Sequence, residues 1–372
     1  MPLFQKTLDD LKTQSRYRSL SLPDGIDLTS NDYLGMSQHP ALRQTALDAL
    51  AAGLDIGAAG SRLLRGHTDA HDALEAFAAK HFGAERTLYF SSGFQANYAI
   101  LTTLPDRHDV IMYDALVHAS MREGIAAGNS KSYKFTHNDL DALEDLLKRH
   151  RDQARTLWIA VESVYSMDGD CAPLAPLYAL AERYDAYLII DEAHGTGVFG
   201  TGGRGLAWDI IAEHGYERIV TLHTCGKAIG VAGGLMCASA DMIDYMINTS
   251  RPFIYSTATM PLQALLVQKS LEILASDDGY VRRADLRALC QDAKTLFGGS
   301  GTQIVPIILG ENERAIQVAA YLQKQGFDIR AIRPPTVPAG SARLRLSLSS
   351  VLEKQVLRDF ASCLSGAESN IA

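Results

Sequence analysis

The sequence predicts an α/β protein: a mostly parallel sheet covered by helices on both faces, with a smaller α+β domain towards the C-terminal end. Three observations predict it. Between residues 86 and 191, short β-like runs alternate with helical stretches of about 10 to 15 residues, the rhythm of βαβ units. Runs such as Leu188-Ile189-Ile190 are apolar without alternation, as strands covered on both faces are. Beyond residue 302 the pattern changes to fewer helices and a strictly alternating strand, ARLRLSLS.

Taken in order, residues 3–17 read as a short helix with Leu3, Phe4, Leu8 and Leu11 on one apolar stripe. IDLTSNDYLGMSQHP (26–40) gives a short strand and then a turn-rich segment ending at Pro40. Asn31 and Tyr33 read equally as pocket-lining residues or as plain loop. Residues 41–53 are helical, and GAAGSRLLRGH (57–67) is a loop rich in glycine and arginine. DAHDALEAFAAKHFG has helical apolar spacing and stops at Gly83 as its C-cap. The alternation follows: RTLYF, DVIMYD, KSYKF, TLWIAVE and YLIIDEAH as strands, with QANYAILTTL, HASMREGIAAG, DLDALEDLLKRH and APLYALAERYD as the helices between them.

A further β-like run, Arg218 to Thr221, ends close to Lys227. The passage from Ser239 is helical and is broken at Pro252 and Pro261. Residues 302–309 are a strand, 312–325 a helix and FDIRAI a strand. ARLRLSLS puts Arg343 and Arg345 on one face and Leu344, Leu346 and Leu348 on the other. The implied organisation is an N-terminal segment over 1–40, a large domain over 41–250 and a small domain over 251–372.

At 372 residues, 47% hydrophobic and 21% charged, the chain can bury a large core. Its net charge of −8 argues against nucleic-acid binding as a main activity, which needs clustered lysine and arginine. The five cysteines (Cys171, Cys225, Cys237, Cys290 and Cys363) are odd in number and form no CxxC pair. Neither a disulfide framework nor a metal site is expected, and a reducing cytoplasm fits. The start, MPLFQKTLDDLKTQSRYR, lacks the apolar core of a signal peptide, and no run of about 18 apolar residues follows, so no membrane partner is expected.

The chemistry concentrates between Tyr187 and Gly234, YLIIDEAHGTG…TLHTCGKAIGVAGG. One strand delivers Asp191 and, three residues on, His194; the next leads to Lys227, which is followed by Ala228, Gly230, Ala232, Gly233 and Gly234. A structural lysine normally sits among polar residues on a solvated face. An aspartate ending an apolar strand is costly to bury unpaired. A pyridoxal phosphate site resolves both: the lysine captures the aldehyde, the aspartate keeps the pyridine nitrogen protonated, and the small residues let a flat ring approach the backbone. A buried arginine would also resolve the aspartate. SSGFQAN (91–97) is a strand-to-helix turn whose N–H groups at Gly93 and Phe94 can hold a phosphate at a helix N-terminus. Ligands in such sheets sit at the carboxyl ends of strands, where Asp191, His194, Ser92, Gly93 and Ser166 all fall.

DEAHGTGVFG…GKAIGVAGG resembles the α-oxoamine synthases, fold-type I pyridoxal phosphate enzymes that condense an amino acid with an acyl thioester and release carbon dioxide. The resemblance runs from NDYLG at Asn31 to RPPTVPAG at Arg333. It implies His194 on the ring oxygen and His118 of DALVHAS flat on the ring, where it also polarises the thioester. Ser166 and Thr224 are implied to supply hydroxyls to the cofactor. Thr257 of FIYSTA is implied to reach the phosphate across the interface of a homodimer with shared active sites. Arg333 and Thr336, in the rigid PPTVP run, look like the site for the amino-acid carboxylate and the acyl substrate. Asn31 and Arg16 are further substrate-site candidates, Arg16 reading equally as a solvated helix-end arginine.

In the implied mechanism the freed Lys227 amine removes the Cα proton. RPPTVPAG with FIYST is most similar to members that join L-alanine to a pimeloyl thioester in biotin synthesis, the acyl group carried by coenzyme A or an acyl carrier protein. Members that use glycine are the alternative. SRLLRGH (61–67) departs from the form associated with the alanine enzymes, which leaves acyl-chain preference open.

Three other patterns point elsewhere. DEAH (191–194) would hold magnesium in a nucleotide-driven nucleic-acid motor, but no GxxxxGK[ST] accompanies it. GTGGRG (200–205) satisfies the dinucleotide fingerprint of a nicotinamide oxidoreductase, yet starts nine residues after Asp191 rather than directly off a strand, and reads as a flexible loop. SMDGD lacks the ligand count of an EF-hand.

Overall fold

The computed structural model describes residues 3–371. The chain opens with α1 (Gln5–Thr13), shorter than the predicted 3–17, and a two-residue strand β1 (Ile26–Asp27). Helices α2 (Pro40–Ala51) and α3 (Asp69–Phe82) follow. Pro40 opens α2, where its missing N–H leaves no helical bond unmade. Gly83 ends α3 at φ 72°, a left-handed cap that glycine adopts without strain.

The predicted alternation is present: β2 (Arg86–Phe90), α4 (Gly93–Thr103), β3 (Val110–Asp114), α5 (Ala119–Ala127), β4 (Lys131–Phe135), α6 (Leu140–His150), β5 (Leu157–Glu162), α7 (Leu174–Arg183) and β6 (Ala186–Asp191). After these come α8 (Trp208–His214), β7 (Ile219–Thr224), β8 (Gly234–Ala238), α9 (Ala240–Thr249), α10 (Arg251–Ile254), α11 (Pro261–Leu274) and α12 (Asp277–Phe297).

Seven of these strands form one sheet in the order β2-β8-β7-β6-β5-β3-β4. Every pairing is parallel except those of β8, which runs antiparallel to both β2 and β7. β2, β3, β5, β6 and β7 therefore point the same way and present their carboxyl ends along one edge. Each residue of β5, β7 and β8 is buried, the signature of a sheet covered on both faces. Sequence reading missed β8, because GLMCA is short, shows no alternation and follows a run of glycines.

The described residues fall into two compact units. The larger takes Leu34–Tyr165 and Cys171–Arg283; the smaller takes the chain up to Tyr33, Ser166–Asp170 and everything from Ala284. The boundaries expected at 40 and 250 are thus corrected to lie after 33 and 283, with a short insertion at 166–170. Residues 251–283 belong with the larger unit because α11 lies against α2 and α3 and buries Ala264, Val267, Leu271 and Leu274 there. Residues 1–2 and 372 of the expected segments lie outside the described part.

The smaller unit completes the chain with β9 (Ile304–Gly310), α13 (Asn312–Lys324), β10 (Phe327–Asp328), β11 (Ala331–Ile332), β12 (Ala342–Ser347) and α14 (Lys354–Asn370). β9, β12 and β11 make an antiparallel sheet, while β10 pairs in parallel with β1. FDIRAI, expected as one strand, divides because its two ends pair with different partners. The alternation of β12 is real, but both of its faces are buried: Arg343 and Arg345 are only 4% and 7% exposed. Arg343 Nη1 bonds Asp168 Oδ1 at 2.5 Å, and Arg345 donates to the Ser166 carbonyl at 2.5 Å and to Asn31 Oδ1 at 3.1 Å. These partners make burial of two guanidinium groups tolerable.

Candidate active site

The carboxyl edge of the larger sheet gathers several of the charged and polar residues expected from the sequence. Asp191 ends β6, Thr224 ends β7, Gly93 opens α4 and His118 is the N-cap of α5. With His194, Phe94 and Lys227 they line one cavity of about 130 Å³. All of its lining belongs to the larger unit. Inside it Lys227 Nζ lies 2.7 Å from His194 Nε2.

Asp191 is 3% exposed, and its carboxylate is positioned from two sides. Oδ1 accepts the Ala193 N–H at 2.8 Å, and Oδ2 accepts from Asn97 Nδ2 at 2.6 Å. Asn97 Nδ2 also donates to Ser120 Oγ at 3.0 Å. The Ser120 amide and hydroxyl both reach His118 Nδ1, at 3.2 and 2.8 Å. Because the amide can only donate, Nδ1 carries a lone pair and the neutral ring holds its proton at Nε2. A continuous polar chain thus joins Asp191 to His118. The protein packed on the inner side of the His118 ring lowers its affinity for a proton; the Asp191 carboxylate opposes that shift, and Lys227 and Arg122 add to it.

Asn97 and Ser120 were missed by sequence reading. The available signal was Asn97 on the apolar face of α4, one turn beyond Gly93, where a buried amide needs a partner.

Pyridoxal phosphate requires an acid, an amine, an anion-binding end and a slot for a flat ring, and the cavity has each. Ser92 caps α4 by accepting from the Gln95 N–H at 3.1 Å, which leaves the Gly93 and Phe94 amides at the first turn. A Cβ on Gly93 would come within 2.8 Å of Thr224 Oγ1, and one on Gly234 within 2.9 Å of Gly93 Cα. The turn therefore closes on glycine alone, and the residues present fit the group.

The other expected site residues are not among those that line this cavity. Thr257 is exposed, pairs with Ser61 in an isolated bridge and lines a separate recess with Gln95 and Phe253. Ser166, Asn31, Arg16, Arg333 and Thr336 belong to the smaller unit. There Asn31 Oδ1 accepts from Tyr33 Oη at 2.9 Å as well as from Arg345. Arg16 Nε donates to the Pro334 carbonyl at 3.2 Å, and Arg333 donates to the Ser15 and Tyr17 carbonyls, so these two arginines do converge. Thr336 is exposed just beyond them.

GTGGRG is not the flexible loop expected. Gly197 N–H donates to Gly203 O at 2.7 Å and Gly205 N–H to Phe199 O at 2.9 Å. The segment wraps Glu192, and a Cβ on Gly205 would fall 2.7 Å from that carboxyl carbon. Its glycines serve close approach, and no helix begins directly after them to receive a dinucleotide phosphate. Glu192 is fully buried, accepting from Ser163 Oγ at 2.7 Å and Ala207 N–H at 2.5 Å. Burial pushes its carboxyl up to about 7, against those donors.

The folded state therefore holds this proton more tightly than the unfolded chain. The stabilisation is complete below the ordinary carboxyl range and is lost as pH rises through about 7. Glu192→Gln, which cannot ionise, is expected to flatten the decline in unfolding free energy between roughly pH 5 and 8. Denaturant titrations across that range check it; an unchanged slope would show that Glu192 does not titrate there.

Comparison with known proteins places this geometry among relatives. The model of the family "Aminotransferase class I and II" matches residues 23–364. An 8-amino-7-oxononanoate synthase of Bordetella petrii is 43% identical over 344 residues, covering 88% of this chain and 85% of that protein. The enzyme of the same name from Chromobacterium violaceum is 42% identical over 364 residues, covering 92% of each. Among solved structures, a serine palmitoyltransferase from S. paucimobilis with bound PLP superposes with a TM-score of 0.89. It is 25% identical, and the match covers 100% of this chain and 99% of that one.

Proposed function

The chain belongs to the class I and II aminotransferase family, and from that premise we infer that it condenses L-alanine with a pimeloyl thioester. The products are 8-amino-7-oxononanoate, carbon dioxide and free thiol, a step of biotin biosynthesis. One observation carries the reading: Lys227, His194, Asp191 and His118 meet in a single cavity of a chain that matches synthases of that name over most of its length. The fold is that of the fold-type I pyridoxal phosphate transferases.

Lys227 is the residue to hold the aldehyde of pyridoxal phosphate, Asp191 its ring nitrogen, His194 its ring oxygen, and the Gly93 and Phe94 amides with Thr224 its phosphate end. When bound, the cofactor supplies an electron-withdrawing ring that takes up the charge left when the amino acid loses its Cα proton. Lys227 Nζ, displaced by the incoming amino acid, is the base for that proton, and His194 Nε2 at 2.7 Å is placed to steady the amine. The neutral His118 offers Nε2–H to the thioester carbonyl, where negative charge develops as Cα attacks. The new bond joins Cα to the acyl carbon, the C–S bond breaks and its sulfur takes a proton to leave as the thiol, and the amino-acid carboxylate leaves as carbon dioxide while Cα takes a proton in its place. Arg333 with Arg16 is the proposed substrate-carboxylate and acyl site, and Thr336 and Asn31, of the same smaller unit, are proposed to serve the substrate as well.

A homodimer in the cytoplasm completes the reading. Thr257 lies exposed and outside the Lys227 cavity, which supports its serving the phosphate of a second copy. Product analysis with purified protein tests the whole. L-alanine plus pimeloyl thioester, offered on coenzyme A and on acyl carrier protein, is expected to give the nonanoate with at least about tenfold higher kcat/KM than glycine in the same assay, since the cost of one methyl in a pocket is of that order. A preference for glycine would reassign the substrate within the family.

A further inference from the structure

On the opposite face of β7 from the cavity lies a buried polar chain that the mechanism above does not use. Leu222 and Thr224 line the cavity, so strand alternation sends His223 the other way. His223 is 0% exposed and stacks on Phe82 with ring centroids 3.7 Å apart. Both its nitrogens are bonded: Nδ1 lies 2.8 Å from Thr196 Oγ1 and Nε2 2.8 Å from Thr221 Oγ1.

The available hydrogens fix the direction of both bonds to the ring. The Glu192 carbonyl has no proton, so its 2.7 Å contact with Thr196 Oγ1 uses the single hydroxyl hydrogen of that threonine. The hydrogen between Thr196 and His223 then comes from the ring, at Nδ1. A neutral ring with its proton there has a lone pair at Nε2, which the Thr221 hydroxyl fills. Tyr216 Oη lies 3.1 Å from Thr221 Oγ1 and shares its hydrogen with the Phe82 carbonyl at 3.3 Å.

We propose that His223 and Thr196 form a positioning strap that sets the approach of His194 to Lys227. Thr196 stands two residues after His194, and its amide and hydroxyl both fold it back onto the Glu192 carbonyl. His223 stands four residues before Lys227. One hydrogen bond therefore ties the turn bearing His194 to the strand leading to Lys227, while the tips of those same elements meet at 2.7 Å in the cavity. Neither strap residue lines the cavity, so both act through others. The strap matters to catalysis on the reading of Lys227 given above. A misplacement of about 1 Å at reacting groups can cost up to about a hundredfold in rate.

The test uses full-length protein with Thr196→Val, Thr196→Ser, His223→Leu and the double variant T196V/H223L. Thr196→Val is expected to lower kcat about tenfold, to slow the gain of visible absorbance when apoprotein meets pyridoxal phosphate by a similar factor, and to leave KM for the amino acid within about twofold. Thr196→Ser, which keeps the hydroxyl, is expected to restore both rates. His223→Leu should match Thr196→Val, and the double variant should be no worse than either. Nitrogen NMR of the cofactor-free wild type, assigned by difference from His223→Leu, should show the proton on Nδ1. The proposal is overturned if folded Thr196→Val captures cofactor and turns over at the wild-type rate, if Thr196→Ser is as impaired as Thr196→Val, or if the proton sits on Nε2. Wild-type protein that gains no visible absorbance would instead sink the cofactor reading, with the NMR measurement still deciding the hydrogen bond.

Discussion

Lys227→Ala is expected to lower kcat by about 10⁴-fold or more, roughly 5 kcal/mol of lost transition-state stabilisation, and to leave the protein without cofactor-dependent visible absorbance that resists dialysis. Lys227 follows Gly226 in an apolar, glycine-rich loop, its Nζ contacts a histidine at 2.7 Å, and the histidine is 3% exposed. An amine serving only structure would be expected to pair with an acid or to reach bulk water. Asp191, one of the acids lining the cavity, is bonded to Ala193 and Asn97. Lys227→Arg is the sharper control, because it retains the positive charge but cannot release a proton near neutral pH or attack an aldehyde. If charge alone mattered, the arginine variant would keep activity; on the present reading it fails like alanine. Absorbance spectra and steady-state rates of both variants check this, and turnover by Lys227→Arg within tenfold of wild type would end the reading.

What the sequence made legible follows from the kind of signal each feature leaves. The βα alternation between residues 86 and 191 was readable because strands covered on both faces are unbroken apolar runs and the helices between them are periodic. Lys227, Asp191 and His194 were readable because each is a polar group set at the end of an apolar strand or among small residues, His118 only through the family resemblance, and the structure brings all four to one cavity. Asn97, Ser120, Thr196 and His223 were not, since a polar residue within a helix or strand reads the same whether it supports a site or merely satisfies itself. β8 escaped because five buried residues after a glycine run carry no period. The unit boundary was misplaced because Pro252 and Pro261 look like a linker, whereas Pro261 only starts α11 and its apolar side decides where the helix belongs. The GTGGRG glycines invited two wrong meanings, nucleotide binding and mobility. Their actual partner, the buried Glu192 carboxyl, is legible only once the loop is folded around it.

Asp191→Asn is the substitution that separates charge from shape. The new amide occupies the same volume, and its oxygen can still accept the Ala193 N–H. Its NH₂ would face Asn97 Nδ2, two donors at what is now a 2.6 Å bond. Asn97 can resolve that conflict by turning its amide, because Asn97 Oδ1 is buried without a hydrogen-bond partner in the present structure and would meet the new donor. The turn gives up the bond to Ser120, a loss of about 1 kcal/mol, so the fold survives with a modestly lower Tm. Catalysis does not survive in proportion. Without a carboxylate opposite the ring nitrogen, the protonated ring loses its counter-charge, and kcat is expected to fall about 10³-fold while cofactor is still captured by Lys227. Asp191→Glu keeps the charge but pushes it a methylene further, and should lose less rate and more stability than the amide, since its longer side chain enters a space already filled by Asn97 and Ala193. Thermal unfolding, visible spectra and rates measured on the two variants together decide the point. An amide variant that retained cofactor and worked within tenfold of wild type would show that the buried carboxylate is there for packing and not for the ring.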